Sequence, residues 1–433
     1  MNINRRWAFV LLNIFLGSIL LLFAGCGITT PKSAGSPGIS GNSGGGSGSG
    51  GGGGGTVSGG QYVYIGDSDN LQIDGFKVNS DGTLSAVPGS PFQMSGRGDP
   101  FQTAGNTLAV VGQFLFADAT AVSSGIAGFK IDPATGSLTS VNTGPSKGGP
   151  WFRLAGNSQQ NALYTSGSVC ASISGGISCS NSIAGWTVNS DGSLKMVSTI
   201  TSQGNQVVGG AIAVDHQSRF LYSWYRGLVY VFGLNQDGSI GSQVSGSPFK
   251  IGTPYQFTSP NDPNACFGDF EQPVLAADPA GGRFLYASCD ANAQVDEIVV
   301  SDSGQLTLIG TVPSPGPGTE LSSLTISNDG ALLFGTEEEA NSVVSFKIDR
   351  STGQLMPGAP VPSGTRPNQA ASDFSNHFLY ATNGSSNLSK NNNHPGSNNV
   401  SEYAFTSAGA MTPLPDSPKT VGSRPKSVIA VKF

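Results

Sequence analysis

Residues 326–355 read ISNDGALLFGTEEEANSVVSFKIDRSTGQL, and this stretch contains each local signal that decides the fold. Ile326 leads through an Asn-Asp-Gly turn into Leu332-Leu-Phe334, which is typical of two short strands joined tightly. A further apolar run centres on Phe346 and continues past Gly353, and apolar alternation around a Thr-Gly turn indicates a hairpin. The stretch therefore predicts four short antiparallel strands, A to D.

The same unit recurs seven times from residue 61 onward. The strand-B signal recurs as Tyr62-Val-Tyr64, Phe114-Leu-Phe116, Ala162-Leu-Tyr164, Phe220-Leu-Tyr222, Phe284-Leu-Tyr286, Leu332-Leu-Phe334 and Phe378-Leu-Tyr380. The hairpin glycines recur as Gly82, Gly136, Gly192, Gly238, Gly304, Gly353 and Gly409. Repeated four-stranded units are typical of a β-propeller, whereas a right-handed β-helix, the alternative, has shorter repeats.

The two ends of this repeat array complement each other. The first unit begins at Tyr62 and lacks strand A, while residues 423–433 read SRPKSVIAVKF, a strand A with nothing after it. We expect the C-terminal strand to supply strand A of blade 1 and close the ring, because closure hides the open faces of the end blades, which a solenoid would have to cap. The predicted fold is all-β: a seven-bladed β-propeller of four-stranded antiparallel blades over residues 61–433.

The composition agrees with this fold and excludes several functions. The chain has 433 residues, of which 63 are glycine and only 11% are charged, which argues against a mostly helical protein. The formal net charge of −6 argues against a nucleic-acid partner, since few basic groups could displace phosphate counterions. With three histidines, a His-rich metal site is not expected. We predict no metal and no cofactor.

The first 25 residues read as an export signal, with two arginines before an apolar run. Leu22-Phe-Ala-Gly-Cys26 resembles the bacterial lipobox, which implies that Cys26 is lipidated and begins the mature chain. The alternative is an uncleaved membrane anchor. Residues 26–60 form a Gly/Ser-rich segment that cannot bury enough surface to order itself, so we expect a flexible tether. The expected location is an exported, membrane-anchored lipoprotein at the outer membrane or the periplasmic side of the envelope.

One face of the predicted propeller has all the long connections. The A–B and C–D turns of the opposite face are short, whereas insertions at 91–103, 166–183, 250–272 and 383–399 fall in B–C turns or D-to-A connections. Long loops on one rim of a rigid scaffold favour a ligand-binding face, although neutral drift of surface loops is the alternative. We call this the loop face.

Four cysteines remain after Cys26, and all are predicted to lie on the loop face. Export permits disulfides, and four cysteines allow three pairings. Cys170 and Cys179 share the blade 3 insertion, while Cys266 and Cys289 flank strands of blade 5. We predict the pairs Cys170–Cys179 and Cys266–Cys289. A cysteine-ligated metal is the weaker interpretation, because no histidine lies near these cysteines in sequence.

Segments 75–84, 129–138 and 343–355 resemble the lactonase family of seven-bladed propellers, which is named for 6-phosphogluconolactonase. The similarity covers about residues 61–433 and implies hydrolysis of a sugar lactone. Enzymes of the family tend to have Pro-Arg-His-like steps where strand A begins and Asn-Glu after strand B. The matching segments here are Arg366-Pro-Asn-Gln369, Arg424-Pro-Lys-Ser427 and Glu337-Glu338.

The histidine position of the family pattern is held by Gln369 or Ser427. His216 and His377 are predicted in A–B turns, on the face opposite the loop face, and only His394 falls on the loop face. A general base that titrates near neutral pH is therefore not obvious.

Alignment of the strand-A starts predicts a ring of polar groups at the channel mouth. It contains Asp99, Gln272, Glu320, Arg366 and Arg424, with Gln369 and Lys426 close by. Such a mixture could bind a sugar acid or a lactone carbonyl. The alternative is a set of ion pairs that line a wet channel. Glu320 and Glu338 are the candidate bases.

Two functions from different classes remain open at this point. In the first, a lactone hydrolase, water attacks the ring carbonyl while Arg366 or Arg424 stabilises the oxyanion. In the second, a non-catalytic propeller binds a saccharide or an envelope protein. The expected partners are the membrane through Cys26 and a small sugar-like ligand or an envelope protein, and we expect a monomer.

Overall fold

The computed structural model describes residues 59–67, 69–94, 108–118, 125–143, 151–173, 176–202, 210–225, 227–251, 274–289, 294–316, 321–384 and 396–433. Within these ranges the regular elements are β-strands, which form seven antiparallel sheets. None of the residues described forms a helix long and apolar enough to cross a membrane.

Each sheet is one blade, and its strands follow chain order from the centre of the ring outward. Blade 1 contains β1 (Gln61–Asp67), β2 (Gln72–Val78), β3 (Leu84–Ala86) and β4 (Phe92–Gln93). Blade 2 contains β5 (Leu108–Val111), β6 (Phe114–Asp118), β7 (Ile126–Ile131) and β8 (Leu138–Val141). Blade 3 contains β9 (Trp151–Asn157), β10 (Ala162–Ile173), β11 (Gly176–Val188) and β12 (Leu194–Thr201).

The later blades repeat this order. Blade 4 contains β13 (Ala211–Val214), β14 (Phe220–Tyr225), β15 (Leu228–Leu234), β16 (Ile240–Gln243) and β17 (Phe249–Lys250). Blade 5 contains β18 (Val274–Ala277), β19 (Phe284–Cys289), β20 (Gln294–Val300) and β21 (Leu306–Pro313). Blade 6 contains β22 (Ser323–Ile326), β23 (Leu332–Glu337), β24 (Ser342–Ile348), β25 (Leu355–Pro357) and β26 (Val361–Pro362). Blade 7 contains β27 (Gln369–Ser372), β28 (Phe378–Asn383), β29 (Asn399–Phe405), β30 (Met411–Pro413) and β31 (Lys419–Thr420), and β32 (Pro425–Lys432) ends the chain.

The seven-bladed propeller and its closure are confirmed. The last strand, β32, pairs antiparallel with β1, so the C-terminus supplies strand A of blade 1. The inner strands then contact one another around a complete circuit, in the order β32, β5, β9, β13, β18, β22, β27 and back to β32. The ring is therefore closed, and neither end blade of the array is left with an uncovered face.

The core lies between the blades, because each sheet packs on both of its neighbours. β1 is buried along almost its whole length, and one apolar cluster joins Tyr64 of blade 1 to Leu115 of blade 2. The phenol of Tyr64 also donates a hydrogen bond to the carbonyl of Gly136 in the next blade, at 2.7 Å. Tyr380 of blade 7 repeats this contact with Gly82 of blade 1, across the closure. Strands buried on both faces need few charged residues, which accounts for the low charged fraction.

The predicted C–D hairpins are confirmed by their backbone geometry. Gly353 has a φ of +85°, a conformation that a side chain resists, and a Cβ there would lie 2.5 Å from the ring of Phe284. All seven predicted turn glycines have positive φ: Gly82, Gly136, Gly192, Gly238, Gly304, Gly353 and Gly409. His216 and His377 lie between strands A and B of blades 4 and 7, on the face opposite the loop face, as predicted.

Three of the predicted insertions of the loop face contain strand. Residues 166–183 fall largely within β10 and β11, which stay paired as far as Ile173 and Gly176 and so extend beyond the end of β9. The Ser- and Gly-rich sequence of this hairpin has little apolar alternation, so only its backbone pairing shows it as strand. The short strands β4 and β17 begin the predicted insertions at 91 and 250 and return to pair with strand C of their blades.

Candidate functional site

Two arginines of consecutive blades lie together with carboxylates on the loop face. Arg366 precedes β27 and Arg424 precedes β32, so each begins the inner strand of a blade. Glu338 follows β23 and Asp69 follows β1, each just past the end of a strand B. Because strands A and B are antiparallel, the start of one lies at the same end of the blade as the finish of the other. The topology thus gathers these four residues where blades 6, 7 and 1 meet.

The backbone of both arginines has the same unusual geometry. Arg366 and Arg424 have φ values of +59° and +56°, although each precedes a proline. The N–H of Arg366 donates to Oδ1 of Asn341 at 2.7 Å, and that of Arg424 donates to Oδ1 of Asn398 at 2.9 Å. Positive φ at a residue other than glycine costs on the order of 1–3 kcal/mol and is found where the surroundings enforce it. Two adjacent blades therefore hold an arginine by the same constrained turn.

Each arginine side chain is itself mostly buried in an ion pair, although the aspartate that pairs with Arg424 lies at the surface. Nε of Arg366 lies 3.0 Å from Oε1 of Glu338, and these side chains are 14% and 6% exposed. Nη1 of Arg424 lies 3.2 Å from Oδ1 of Asp69, and these side chains are 18% and 34% exposed. Partial burial weakens the screening of charge by water, so both guanidinium groups keep a strong field at this position.

Lys426 adds a third cation to the group. It occupies a β-bulge where the pairing of β32 with β1 shifts register between Gly66 and Asp67, and a bulge can re-aim a side chain. Burial lowers the pKa of Lys426 to about 7, with a smaller lowering by the charge of Arg424. The charges of Glu338 and Asp69 act in the opposite direction. The amine thus lies within electrostatic reach of both carboxylates. We name Asp69, Glu338, Arg366, Arg424 and Lys426 the charged cluster.

Buried polar groups fix the backbone that carries the cluster. Asp67, fully buried at the end of β1, accepts a hydrogen bond from the N–H of Ser423 at 2.7 Å, directly before Arg424. Burial raises the pKa of Asp67, while backbone N–H groups and the Asn70 side chain lower it. In blade 7 the hydroxyl of Thr382 donates to the carbonyl of Lys426 at 3.3 Å.

Gln369, which the sequence predicts as a ligand-binding residue, has a structural contact. Its Oε1 accepts a hydrogen bond from the N–H of Val428 at 3.0 Å and so joins the inner strands of blades 7 and 1. Gln369 as a whole residue is 3% exposed. Gln369 therefore supports the strands that carry the cluster, and its predicted part in ligand binding stays a prediction.

At the loop-face ends of β28 and β32, two polar atoms outside the charged cluster are buried without a hydrogen-bond partner among the described residues. They are Oδ1 of Asn383, at the end of β28, and Oγ of Ser427, beside Lys426 in the chain. Buried polar atoms nearly always have a protein or water partner, so unpartnered ones mark a place where a ligand or solvent is expected.

Several predicted residues lie outside the described part of the chain: Asp99, Gln272, Glu320, Cys26, Cys266 and His394. The backbone of Cys170 is directly opposite that of Cys179 in the β10–β11 hairpin, and Cys289 ends β19. Their pairings stay predictions. Among the described residues, no group of three or more His, Cys, Asp or Glu side chains is arranged to hold a metal ion.

Sequence reasoning missed Asp69, Asn341 and Asn398. Asp69 could have been found from the acidic residues after strand B of blade 6, because Asp67 and Asp69 occupy the positions of Glu337 and Glu339 when the two strands are aligned. The two asparagines are equivalent positions of the B–C turns in blades 6 and 7, and both have positive φ. Their contact with an arginine some 25 residues later is not visible in a local pattern.

Comparison with known proteins agrees with this architecture. The family model described as lactonase, seven-bladed β-propeller, matches residues 113–254 and 271–392, more than half of the chain. No curated protein sequence matches the chain.

Solved structures share the fold at low sequence identity. A proposed 6-phosphogluconolactonase from Bacteroides fragilis has a TM-score of 0.64 and 16% identity, covering 87% of this chain and 99% of its own. A periplasmic gluconolactonase from Pseudomonas aeruginosa has a TM-score of 0.60 and 17% identity, covering 86% and 99%. A protein from Lactobacillus plantarum has a TM-score of 0.62 and 16% identity, covering 86% and 100%.

Proposed function

The chain belongs to the lactonase family of seven-bladed β-propellers, and from this premise we propose that it hydrolyses a sugar-derived lactone at the charged cluster. The observation that carries the proposal is the pair of constrained arginines, Arg366 and Arg424, each held by a carboxylate where three blades meet. Strained backbone is typical of functional sites, because a purely structural ion pair does not need it.

The chemistry of ring opening matches these groups. Water attacks the lactone carbonyl and negative charge develops on its oxygen, which a guanidinium held beforehand in place stabilises. Glu338 accepts the proton of the attacking water, since a carboxylate within hydrogen-bond reach of water is a competent general base. Arg366 therefore has two tasks: it fixes Glu338 at 3.0 Å and it supplies positive charge to the oxyanion.

The class of substrate follows from the charge of the cluster. Three basic side chains face two carboxylates, so the site favours a ligand that is, or becomes, an anion. An aldonolactone fits, because its product has a carboxylate. Similar structures are described as a gluconolactonase and a proposed 6-phosphogluconolactonase, so glucono-lactones, with and without phosphate, are the first compounds to test.

The test is a pH-indicator assay of ring opening by the purified full chain over a panel of five- and six-membered aldonolactones. We expect at least one lactone to open faster than its spontaneous hydrolysis in the same buffer. Binding of the lactones or their aldonates without any acceleration would instead identify a non-catalytic binding propeller. Neither binding nor acceleration with any member of the panel would remove both readings of the cluster.

We also propose that the chain is exported and held at the membrane by a lipid on Cys26. This proposal is based on the sequence of residues 1–60. The lipobox-like segment before Cys26 and the Gly/Ser-rich segment after it support this proposal. A tether of this length has an rms reach of roughly 30–35 Å, which would let the propeller turn freely above the lipid surface.

Replacing Cys26 by serine is expected to release the protein from the membrane fraction of bacteria and to abolish incorporation of labelled palmitate. The reason is that the thiol is the only acyl acceptor in the lipobox-like segment. Cys289→Ser is the matched control and should keep both signals. If Cys26→Ser stays in the membrane fraction as the natural chain does, residues 1–25 act as an uncleaved anchor and lipidation is wrong.

A further inference from the structure

Lys426 is buried between charged groups. The proposed hydrolysis uses Arg366, Arg424 and Glu338 and assigns no role to Lys426. It is 3% exposed, and burial of an amine favours the neutral form. Arg424, two residues earlier on the same connection, adds a repulsive positive charge. Of the three bases in the cluster, Lys426 is the one that can lose its proton, because a guanidinium stays charged in proteins.

Among the described residues, few other ionisable groups surround Lys426. Glu338 faces it from blade 6, and Asp69 faces it from the turn after β1. Asp67 lies opposite Pro425 in the pairing of β1 with β32. The strands that pack on β32 from blades 7 and 2, which are β27, β28 and β5, have no acidic or basic side chain. A proton on Lys426 is therefore governed by the cluster and by what enters it.

We propose that Lys426 takes up one proton when a carboxylate occupies the charged cluster, and that during ring opening this is the proton that the reaction releases. The second half of the proposal rests on the proposed hydrolysis. An entering carboxylate adds negative charge beside Lys426, which stabilises the ammonium form. The three positive charges of Arg366, Arg424 and Lys426 then equal the three negative charges of Glu338, Asp69 and the carboxylate of the ligand.

The count of protons in the hydrolysis also leaves one proton for Lys426 to accept. Water oxygen bonds to the carbonyl carbon, the ring C–O bond breaks, and the alkoxide that leaves takes one of the two water protons. The other proton passes through Glu338 to the amine of Lys426. A neutral lactone, water and a neutral amine thus become a hydroxy-carboxylate and an ammonium group, with no other reactant. Lys426 is in this scheme a proton acceptor that acts through Glu338.

Calorimetric titration of gluconate into the natural full chain tests the coupling without requiring turnover. Binding is measured in two buffers of different ionisation heat, at pH 6 and at pH 8. Because the pKa of the ligand-free Lys426 is about 7, we expect close to one proton taken up per gluconate at pH 8 and a value near zero at pH 6. Lack of gluconate binding at millimolar concentration, or binding at pH 8 with no proton uptake, overturns the proposal.

Two variants separate this role from a structural one. Lys426→Arg keeps the positive charge, so it should bind gluconate with no proton uptake between pH 6 and pH 9. Lys426→Gln should bind gluconate at least tenfold more weakly at pH 6, where the natural chain is protonated. Proton uptake by either variant equal to that of the natural chain would assign the proton to another group. Thermal unfolding of each variant is recorded alongside to confirm that it is folded.

The dependence of turnover on pH distinguishes the two proposals. For the natural chain kcat/KM should rise about tenfold per pH unit below pH 7 and level off above pH 8, because the neutral amine is the acceptor. In Lys426→Arg this rise should be absent. If no lactone is opened but gluconate binding takes up a proton, hydrolysis is wrong and the binding half of the proposal stands. If lactones are opened with a pH profile that Lys426→Arg does not change, the hydrolysis stands and the role of Lys426 is wrong.

Discussion

Replacing Arg366 by alanine is expected to lower kcat/KM for lactone opening by about 10²–10³-fold, the usual loss when one oxyanion-stabilising donor is removed. The substitution removes a cation that is only 14% exposed and leaves Glu338, 6% exposed, without its partner at 3.0 Å. Glu338 then loses both its orientation and the positive charge beside it. Initial rates at several lactone concentrations measure the effect.

The matched control is Arg350→Ala on the face opposite the loop face. Nη2 of Arg350 lies 2.9 Å from the buried Oδ2 of Asp278, so this variant removes a comparable ion pair between blades 5 and 6. Its kcat/KM should stay within about twofold of the natural value, since water and salt screen a charge on the opposite face of the propeller from the charged cluster. Equal losses in both variants would mean that the effect is one of folding, and an unchanged rate in Arg366→Ala would exclude the arginine from the reaction.

Introducing a charge into the closing strand should have the largest effect on stability. Ile429 of β32 is 3% exposed and packs in the apolar cluster shared by blades 1 and 2. Ile429→Asp is expected to cost more than about 4 kcal/mol of the free energy of unfolding, because it buries an unpaired carboxylate. In addition it weakens the pairing of β32 with β1, which closes the ring.

Lys432→Asp, at the exposed end of the same strand, is the control and should change the free energy of unfolding by less than about 0.5 kcal/mol. Urea titrations followed by circular dichroism compare the variants. A midpoint for Ile429→Asp close to that of the natural chain would show that closure by β32 contributes little to stability.

The fold could be predicted because its signals are local and repeated. Each blade can be recognised from an aromatic residue in strand B and from a turn glycine such as Gly353. The positive φ of this glycine is a property of the local turn and not of distant contacts. The closure followed from a missing strand A at Tyr62 and a surplus one at the C-terminus. The β10–β11 hairpin was missed because its Ser- and Gly-rich residues carry little apolar alternation.

The site could be predicted only in part. Arg366, Arg424, Glu338 and Lys426 were found because they occupy repeated positions at the starts of strand A or the ends of strand B. Their pairings could not be predicted, since Arg424 meets Asp69 across the closure, over 350 positions away in sequence. The burial of Lys426 depends on a bulge in β32, and the sequence has no signal for this bulge. The pairing register between strands far apart in sequence decides which charged side chains form ion pairs.

The charged cluster differs from a set of ion pairs that merely line a wet channel. Ion pairs of the structural kind occur on the opposite face, where Arg219 bonds Asp215 at 2.8 Å. Neither charged residue itself has positive φ, although Ser218 between them does, and no lysine is buried with them among the described residues. The cluster combines constrained arginines with a buried amine on the face with the long connections, which is the arrangement expected of a reaction site.

The most direct test of this account is the rate of lactone opening by the Glu338→Gln chain beside that of the natural chain, each corrected for spontaneous hydrolysis. Glutamine keeps the shape of the side chain and a carbonyl oxygen for Arg366, but it cannot accept the proton of water. The account predicts that the natural chain accelerates ring opening and that Glu338→Gln lowers kcat by about 10²–10⁴-fold, the usual contribution of a general base. An acceleration that survives unchanged in Glu338→Gln would contradict the assignment of the reaction to the charged cluster.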